Sequence, residues 1–151
     1  MDTAIIVASI SASASFIAIY LSAMKENFAL KQKIQRERLD NFYIPFYQMY
    51  CRGLLDTNNL STMGFESRGK FLDLMSKNIV FMGRKSQSLY PEYYKAFLNM
   101  LEADDGNPQY PLEECQNNFD YVFDKLAKTV FNEYRRILKK SYLPVPSMKS
   151  K

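Results

Sequence analysis

The residues that could carry out chemistry are few, and histidine is absent. The chain has 151 residues, no histidine and two cysteines, Cys51 and Cys115. Without histidine, the commonest general base, the usual zinc ligand and a cysteine–histidine nucleophile are excluded. The two cysteines are too far apart for a Cys-x-x-Cys redox pair or a zinc knuckle, and we expect both to be reduced thiols.

Known phosphate-binding and calcium-binding motifs are also missing. The Gly69-Lys70 pair lacks the upstream glycine and the following Ser or Thr of a phosphate-binding loop. The Asp-Asp-Gly stretch at 104–106 does not have the ligand spacing of a calcium loop. We therefore predict a protein that is not an enzyme, with no catalytic residue, no cofactor and no bound metal.

The N-terminal 24 residues have the length and charge pattern of a membrane anchor. The 22 residues from Thr3 to Met24 carry no charge, and a helix of that length spans about 33 Å. Five cations follow within residues 25–38 and no Lys or Arg precedes, so the positive-inside rule places the N-terminus outside. The prediction is a single-pass anchor over 1–24 in the cell inner (cytoplasmic) membrane, with the rest cytoplasmic. The alternatives are a cleaved secretory signal, which would need a basic n-region, and a buried helix.

Small residues dominate this segment, since Ala, Ser and Thr fill 12 of its 22 positions. Six of them recur at spacings of 4, 3, 4, 3 and 4, the heptad step of a left-handed helix pair. The predicted association face consists of Ala4, Ala8, Ser11, Ser15, Ala18 and Ser22. In lipid, close backbone approach along such a face favours helix association, so we predict a homo-oligomer or pairing with another membrane protein.

Two basic clusters are candidate contacts for anionic lipid. One lies in residues 25–40, a charged helical stalk that either stands free or lies on the headgroups. The other lies in residues 125–151, which carry eight cations and one acid, Glu133, after an acidic stretch over 102–124. Nucleic acid is not favoured as a partner, because no nucleic-acid-binding motif accompanies these residues. The candidate lipid-contact residues are Lys25, Lys31, Lys33, Arg36, Arg38, Arg135, Arg136, Lys139 and Lys140.

An aromatic stripe follows the stalk. It consists of Phe42, Tyr43, Phe46, Tyr47 and Tyr50. This helical spacing is most typical of a buried core, and the alternatives are a membrane-surface belt or a face that docks a partner. Because Pro45 has no N–H, we expect the helix to break or kink beside it.

The segment Phe42-Tyr43-Ile44-Pro45-Phe46-Tyr47, preceded by an Arg-rich helix, resembles an element of known proteins. Small uncharacterised single-pass membrane proteins of bacteria and their prophages have a similar F-Y-x-P-[LF]-Y pattern next to the membrane. The resemblance is confined to this segment and carries no catalytic motif. It implies a bacterial or prophage membrane context.

The remaining chain predicts an all-α fold, because apolar residues recur every three or four positions and no stretch alternates as a strand would. We predict helices over 41–56 and 66–82, a third from Ser88 with Pro91 in its first turn and Gly106 at its end, and a fourth over 113–141. Together they form a cytoplasmic bundle over 41–143, followed by a flexible basic tail over 144–151. The predicted function is a membrane-tethered, oligomeric helical interaction or regulatory module, with a prophage or phage-defence role as one form that it could take. The alternative is an oligomerising membrane effector, of the holin or abortive-infection type, that perturbs the bilayer.

Overall fold

The computed structural model is all-helical over the residues it describes, which are 2–53, 59–107 and 109–146, with side chains described from residue 15 onward. Its helices are α1 (Asp2–Arg38), α2 (Ile44–Gly53), α3 (Phe65–Lys77), α4 (Arg84–Asp104) and α5 (Leu112–Lys140). A π-helical turn, Leu39–Tyr43, follows α1, and 3-10 turns at Leu60–Thr62 and Ile79–Phe81 precede α3 and α4. The chain divides into two compact units, 1–36 and 37–151. The predicted all-α helical bundle is confirmed in the second unit.

Helix α1 contains the segment in which the sequence predicted a membrane span. Among the described residues, no helix is both long enough and apolar enough to cross a membrane. This finding corrects the predicted transmembrane anchor over 1–24 and, with it, the predicted single-pass inner-membrane localisation.

The core of the second unit lies where α2, α3 and α4 meet α5. Phe123 on α5 is at its centre, with its ring centroid 5.1 Å from that of Phe71 on α3, 6.4 Å from that of Phe46 on α2 and 6.0 Å from that of Tyr93 on α4. All four side chains are buried. A single aromatic ring therefore packs against three helices, which fixes their positions around α5.

The interruption expected at Pro45 takes the form of the π-helical turn immediately before it. The N–H of Ile44 donates to the carbonyl of Leu39, five residues back rather than four. In a regular α-helix the Pro45 ring would clash with the carbonyl of Asn41. The wider turn accommodates the ring, and α2 then runs from Ile44 to Gly53.

The boundary between α3 and α4 differs from the prediction. Helix α3 ends at Lys77 rather than Met82, and α4 begins at Arg84 rather than Ser88, with Gly83 as its N-cap residue. Pro91 consequently lies inside α4 rather than in its first turn. The predicted end of this helix is confirmed, since Gly106 follows it with a φ of 79°, in the left-handed region that favours glycine.

Candidate functional site

The carboxylate of Glu133, in the basic half of α5, accepts three hydrogen bonds from other parts of the bundle. Its Oε1 accepts the backbone N–H of Ser86 at 3.3 Å, and its Oε2 accepts the Ser86 hydroxyl at 2.6 Å. Oε2 also accepts the hydroxyl of Tyr43 at 3.1 Å. This carboxylate therefore caps the first turn of α4 from another helix, in place of a local capping side chain, which α4 lacks.

Arg38 extends this cluster on the other side of Tyr43. Its Nη2 donates to the Tyr43 hydroxyl at 3.0 Å, and its Nε donates to the carbonyl of Phe81 at 2.9 Å. Burial and the nearby Glu133 charge raise the pKa of Tyr43 above its usual range, although Arg38 acts in the opposite direction. The Tyr43 phenol therefore remains protonated and can donate to Glu133.

These four side chains form one polar cluster, which holds helices in place rather than a reacting group. Its members are Arg38, Tyr43, Ser86 and Glu133. Ser86 is completely buried, so its hydroxyl is not accessible to a substrate. Gly83 also lies against the Glu133 carboxylate, and a Cβ at that position would overlap it. The close fit holds the start of α4 against α5.

A basic groove lies beside this cluster, between the first turn of α4 and the last three turns of α5. Its volume is about 580 Å³, and its lining includes five cations and one carboxylate. The residues of the basic groove are Lys85, Thr129, Asn132, Glu133, Arg135, Arg136, Lys139 and Lys140. Four of these cations are the C-terminal residues predicted as lipid contacts, so the structure brings Arg135, Arg136, Lys139 and Lys140 together and adds Lys85 from α4.

An ion pair between a buried arginine and a partly exposed aspartate joins α3 and α4 elsewhere in the bundle. Nη2 of Arg68 lies 2.5 Å from Oδ2 of Asp104, and the Arg68 side chain is only 7% exposed against 34% for Asp104. The Nε and Nη1 atoms of Arg68 have no hydrogen-bond partner among the described residues, and the same is true of the Tyr93 hydroxyl. No pattern in the sequence predicted a buried arginine in this position.

The predicted partner-docking aromatics belong to the core. Phe42, Tyr43 and Phe46 are buried, and Tyr47 and Tyr50 pack against the core while remaining partly exposed. A docking role is therefore corrected for the three buried rings, because their surfaces are already covered by neighbouring side chains. Tyr43, for example, stacks on Tyr134 of α5 with ring centroids 6.1 Å apart.

The predicted association face lies on α1, and only part of it can be described. Ser15, Ala18 and Ser22 are exposed, whereas the side chains of Ala4, Ala8 and Ser11 lie outside the described residues. The basic residues of the predicted stalk that belong to the first unit, Lys25, Lys31, Lys33 and Arg36, are exposed as well. Arg38 is partly buried and belongs to the Glu133 cluster, and its role as a lipid contact stays a prediction.

The cysteines and carboxylates show no arrangement for metal binding in the described part of the chain. No group of three or more Cys, Asp or Glu side chains there could hold a metal ion. Cys51 and Cys115 are free thiols. Burial raises the pKa of Cys115, which disfavours its reactive thiolate form.

Sequence reasoning missed Ser86 and the capping role of Glu133, and it expected Gly83 to end the preceding helix, whereas Gly83 is the N-cap residue of α4. One signal was present, since Glu133 is the single acid among the eight cations of residues 125–151. An isolated carboxylate in a basic segment is a candidate for a specific partner. Its partner lies 47 residues away in the chain, and no local pattern identifies it.

Comparison with known proteins gives no significant match to a family model, a curated protein or a solved structure. The resemblance to small bacterial and prophage membrane proteins therefore stays a prediction.

Proposed function

We propose that this protein is a helical interaction module that self-associates through α1. The observation that carries the proposal is the exposure of large apolar side chains on that helix. Between residues 16 and 34, nine such side chains are 47–73% exposed. They are Phe16, Ile17, Ile19, Tyr20, Leu21, Met24, Phe28, Leu30 and Ile34. Contiguous exposed apolar surface of this kind marks an interaction site.

The arrangement of these residues favours another helix as the partner. Six positions at spacings of 4, 3, 4, 3 and 4 follow the heptad step, which places them along one line of the helix. This heptad seam consists of Phe16, Tyr20, Ala23, Asn27, Leu30 and Ile34. Five of the six are apolar, and a second copy of α1 presents the same seam at the same spacing. Two copies can therefore bury it against each other in a symmetric interface.

The one polar residue of the heptad seam is compatible with a helix pair. Asn27 shares the a position of the heptad with Tyr20 and Ile34, while Leu30 occupies a d position. A single asparagine at an a position lowers the stability of a coiled coil but specifies its register and its number of strands. Asn27 therefore favours a defined dimer over non-specific association of the apolar surface.

The large residues, rather than the small ones, form the proposed interface. Small-residue faces favour helix pairing in lipid, where burial of apolar side chains brings little gain. In water the driving force is the apolar area removed from solvent, about 25 cal/mol per Å². The large side chains of the heptad seam supply much more of that area than Ala18 and Ser22 do.

The test is the oligomeric state of the full chain by analytical ultracentrifugation across a concentration series. We expect the wild type to be a dimer or higher oligomer, and the variant with Leu30→Glu and Ile34→Glu to be a monomer. The matched control, Ala18→Glu with Ser22→Glu, introduces the same charge on a different face and should keep the wild-type state. A monomeric wild type, or equal dissociation of both variants, would contradict the proposal.

A further inference from the structure

The cations of the basic groove extend from backbone segments that are fixed by packing. On α5, the buried residues Val130, Tyr134, Ile137 and Leu138 hold the part of the helix, 129–140, that lines the groove. On α4, Lys85 directly precedes Ser86, which is completely buried and bonded to Glu133. The backbone positions from which the cations extend are therefore set by packing and do not depend on a ligand.

The charge of the groove is strongly unbalanced. Five cations line it against one carboxylate, and both oxygens of that carboxylate already accept hydrogen bonds from the protein. The first turn of α4 adds one more cation, Arg84, and contains no acid. The positive end of a helix dipole also favours anions. Cations that line the same groove repel one another, and a bound anion relieves that repulsion.

We infer that the basic groove binds a compact anion with several phosphate groups, such as an oligophosphate chain. The volume of about 580 Å³ lies within the range of about 300–1,000 Å³ that small-ligand sites occupy. Arg136 presents an exposed planar guanidinium group, which matches phosphate oxygens in pairs, and the three lysines supply point charges around it. A single small anion would neutralise only part of the five charges, so several linked phosphates fit the groove better than one.

The experiment is an isothermal titration of the full chain with inorganic tripolyphosphate at ionic strength matched with sodium chloride. We expect saturable one-to-one binding. The variant Lys85→Gln with Lys139→Gln removes one groove cation from each helix and should weaken binding by at least about tenfold. Both side chains are exposed, so these substitutions should leave the fold unchanged by circular dichroism.

The matched control also removes one cation from each helix, but outside the groove. Lys95→Gln on α4 with Lys128→Gln on α5 changes the net charge equally, at two exposed positions, and should weaken binding by less than about twofold. Three results would overturn the inference: no saturable binding to the wild type, equal weakening in both variants, or binding of a single-stranded oligonucleotide that tripolyphosphate does not displace. Because α1 is unchanged in both variants, the outcome is independent of the proposed self-association.

Discussion

The carboxylate of Glu133 on α5 accepts both the backbone N–H and the hydroxyl of Ser86 in the first turn of α4, at 3.3 and 2.6 Å. This contact decides where α4 begins. A carboxylate at a helix N-terminus satisfies an otherwise unpaired N–H and interacts favourably with the helix dipole. The same carboxylate accepts the Tyr43 hydroxyl, so one side chain joins the start of α4, the π-helical turn and α5.

Substitution of Gly83 should reveal how closely α4 and α5 approach. The Cβ of Gly83→Ala would overlap the Glu133 carboxylate, and its displacement would weaken the hydrogen bonds to Ser86 and Tyr43. We expect a loss of about 1–3 kcal/mol in the free energy of unfolding, measured with urea. The control is Gly69→Ala within α3, where a Cβ meets nothing within 4 Å. It should stabilise the protein by about 0.5–1 kcal/mol, and equal effects of the two changes would contradict the overlap.

Alkaline pH should destabilise the fold through its buried tyrosines. Burial raises the pKa of Tyr43 and of Tyr93 above the usual range, whereas in the unfolded chain both phenols ionise near pH 10. Their contribution to stability is therefore complete below about pH 10 and is lost as the pH rises above that value, by at most about 1.4 kcal/mol per pH unit for each group.

The measurement is the free energy of unfolding between pH 8 and pH 11, in the wild type and in the variant with Tyr43→Phe and Tyr93→Phe. Loss of the hydroxyls changes the stability at pH 8, but it also removes two ionisations from the alkaline region. The decline in stability above pH 10 should therefore be shallower in the variant. Identical slopes would show that these two phenols ionise equally in both states.

Removal of Asp104 and removal of its partner Arg68 should have unequal effects on the free energy of unfolding. Asp104→Ala leaves a buried guanidinium without its only hydrogen-bonded partner among the described residues, and we expect a loss of about 2–4 kcal/mol. Arg68→Met removes the charge together with its two unpartnered nitrogens and leaves a partly exposed carboxylate that water can solvate. Arg68→Met should therefore lower the free energy of unfolding by less than Asp104→Ala does. The measurement is urea unfolding of both variants, and a larger loss in Arg68→Met would contradict this explanation.

The central aromatic ring should dominate the stability of the core. Phe123→Ala removes a side chain that is 2% exposed and that packs against α2, α3 and α4, and we expect a loss of about 3–5 kcal/mol. Tyr121→Ala is the matched control, because this ring lies two residues earlier on α5 and is 67% exposed. It should change stability by less than about 0.5 kcal/mol. The measurement is thermal unfolding of both variants. Similar losses of stability in Phe123→Ala and Tyr121→Ala would show that Phe123 is not the centre of the core.

The outline of the bundle could be predicted because helix formation is encoded locally. The stripe of Phe119, Phe123, Leu126 and Val130 repeats at three and four residues, and this spacing places one apolar face along α5 whatever covers it. Gly106 could be assigned as the end of α4 for the same reason, since only its own backbone conformation is involved. The predicted start at Ser88 was wrong because the true cap of α4 comes from Glu133, on another helix.

The membrane span shows a different limit of sequence reasoning. The absence of charge from Thr3 to Met24 predicts a bilayer-spanning helix, but no helix among the described residues is long and apolar enough to cross a membrane. Apolar residues on a helix indicate a surface whose exposure to water is unfavourable. They do not indicate whether lipid or protein covers that surface. The pattern of one helix therefore does not identify what packs against it.

By itself, the amino-acid sequence determined the helical class, the apolar stripes that face the core and the basic character of the end of α5, because each depends on residues within a few turns of one another. Only the tertiary structure decided that Glu133 caps α4, that Arg68 is buried against Asp104 and that Lys85 joins four cations of α5 in one groove. These relationships join residues that are 36 to 55 positions apart in the chain. They form only when the helices pack around Phe123. That packing is a property of the whole bundle, and the spacing of residues within one helix does not predict it.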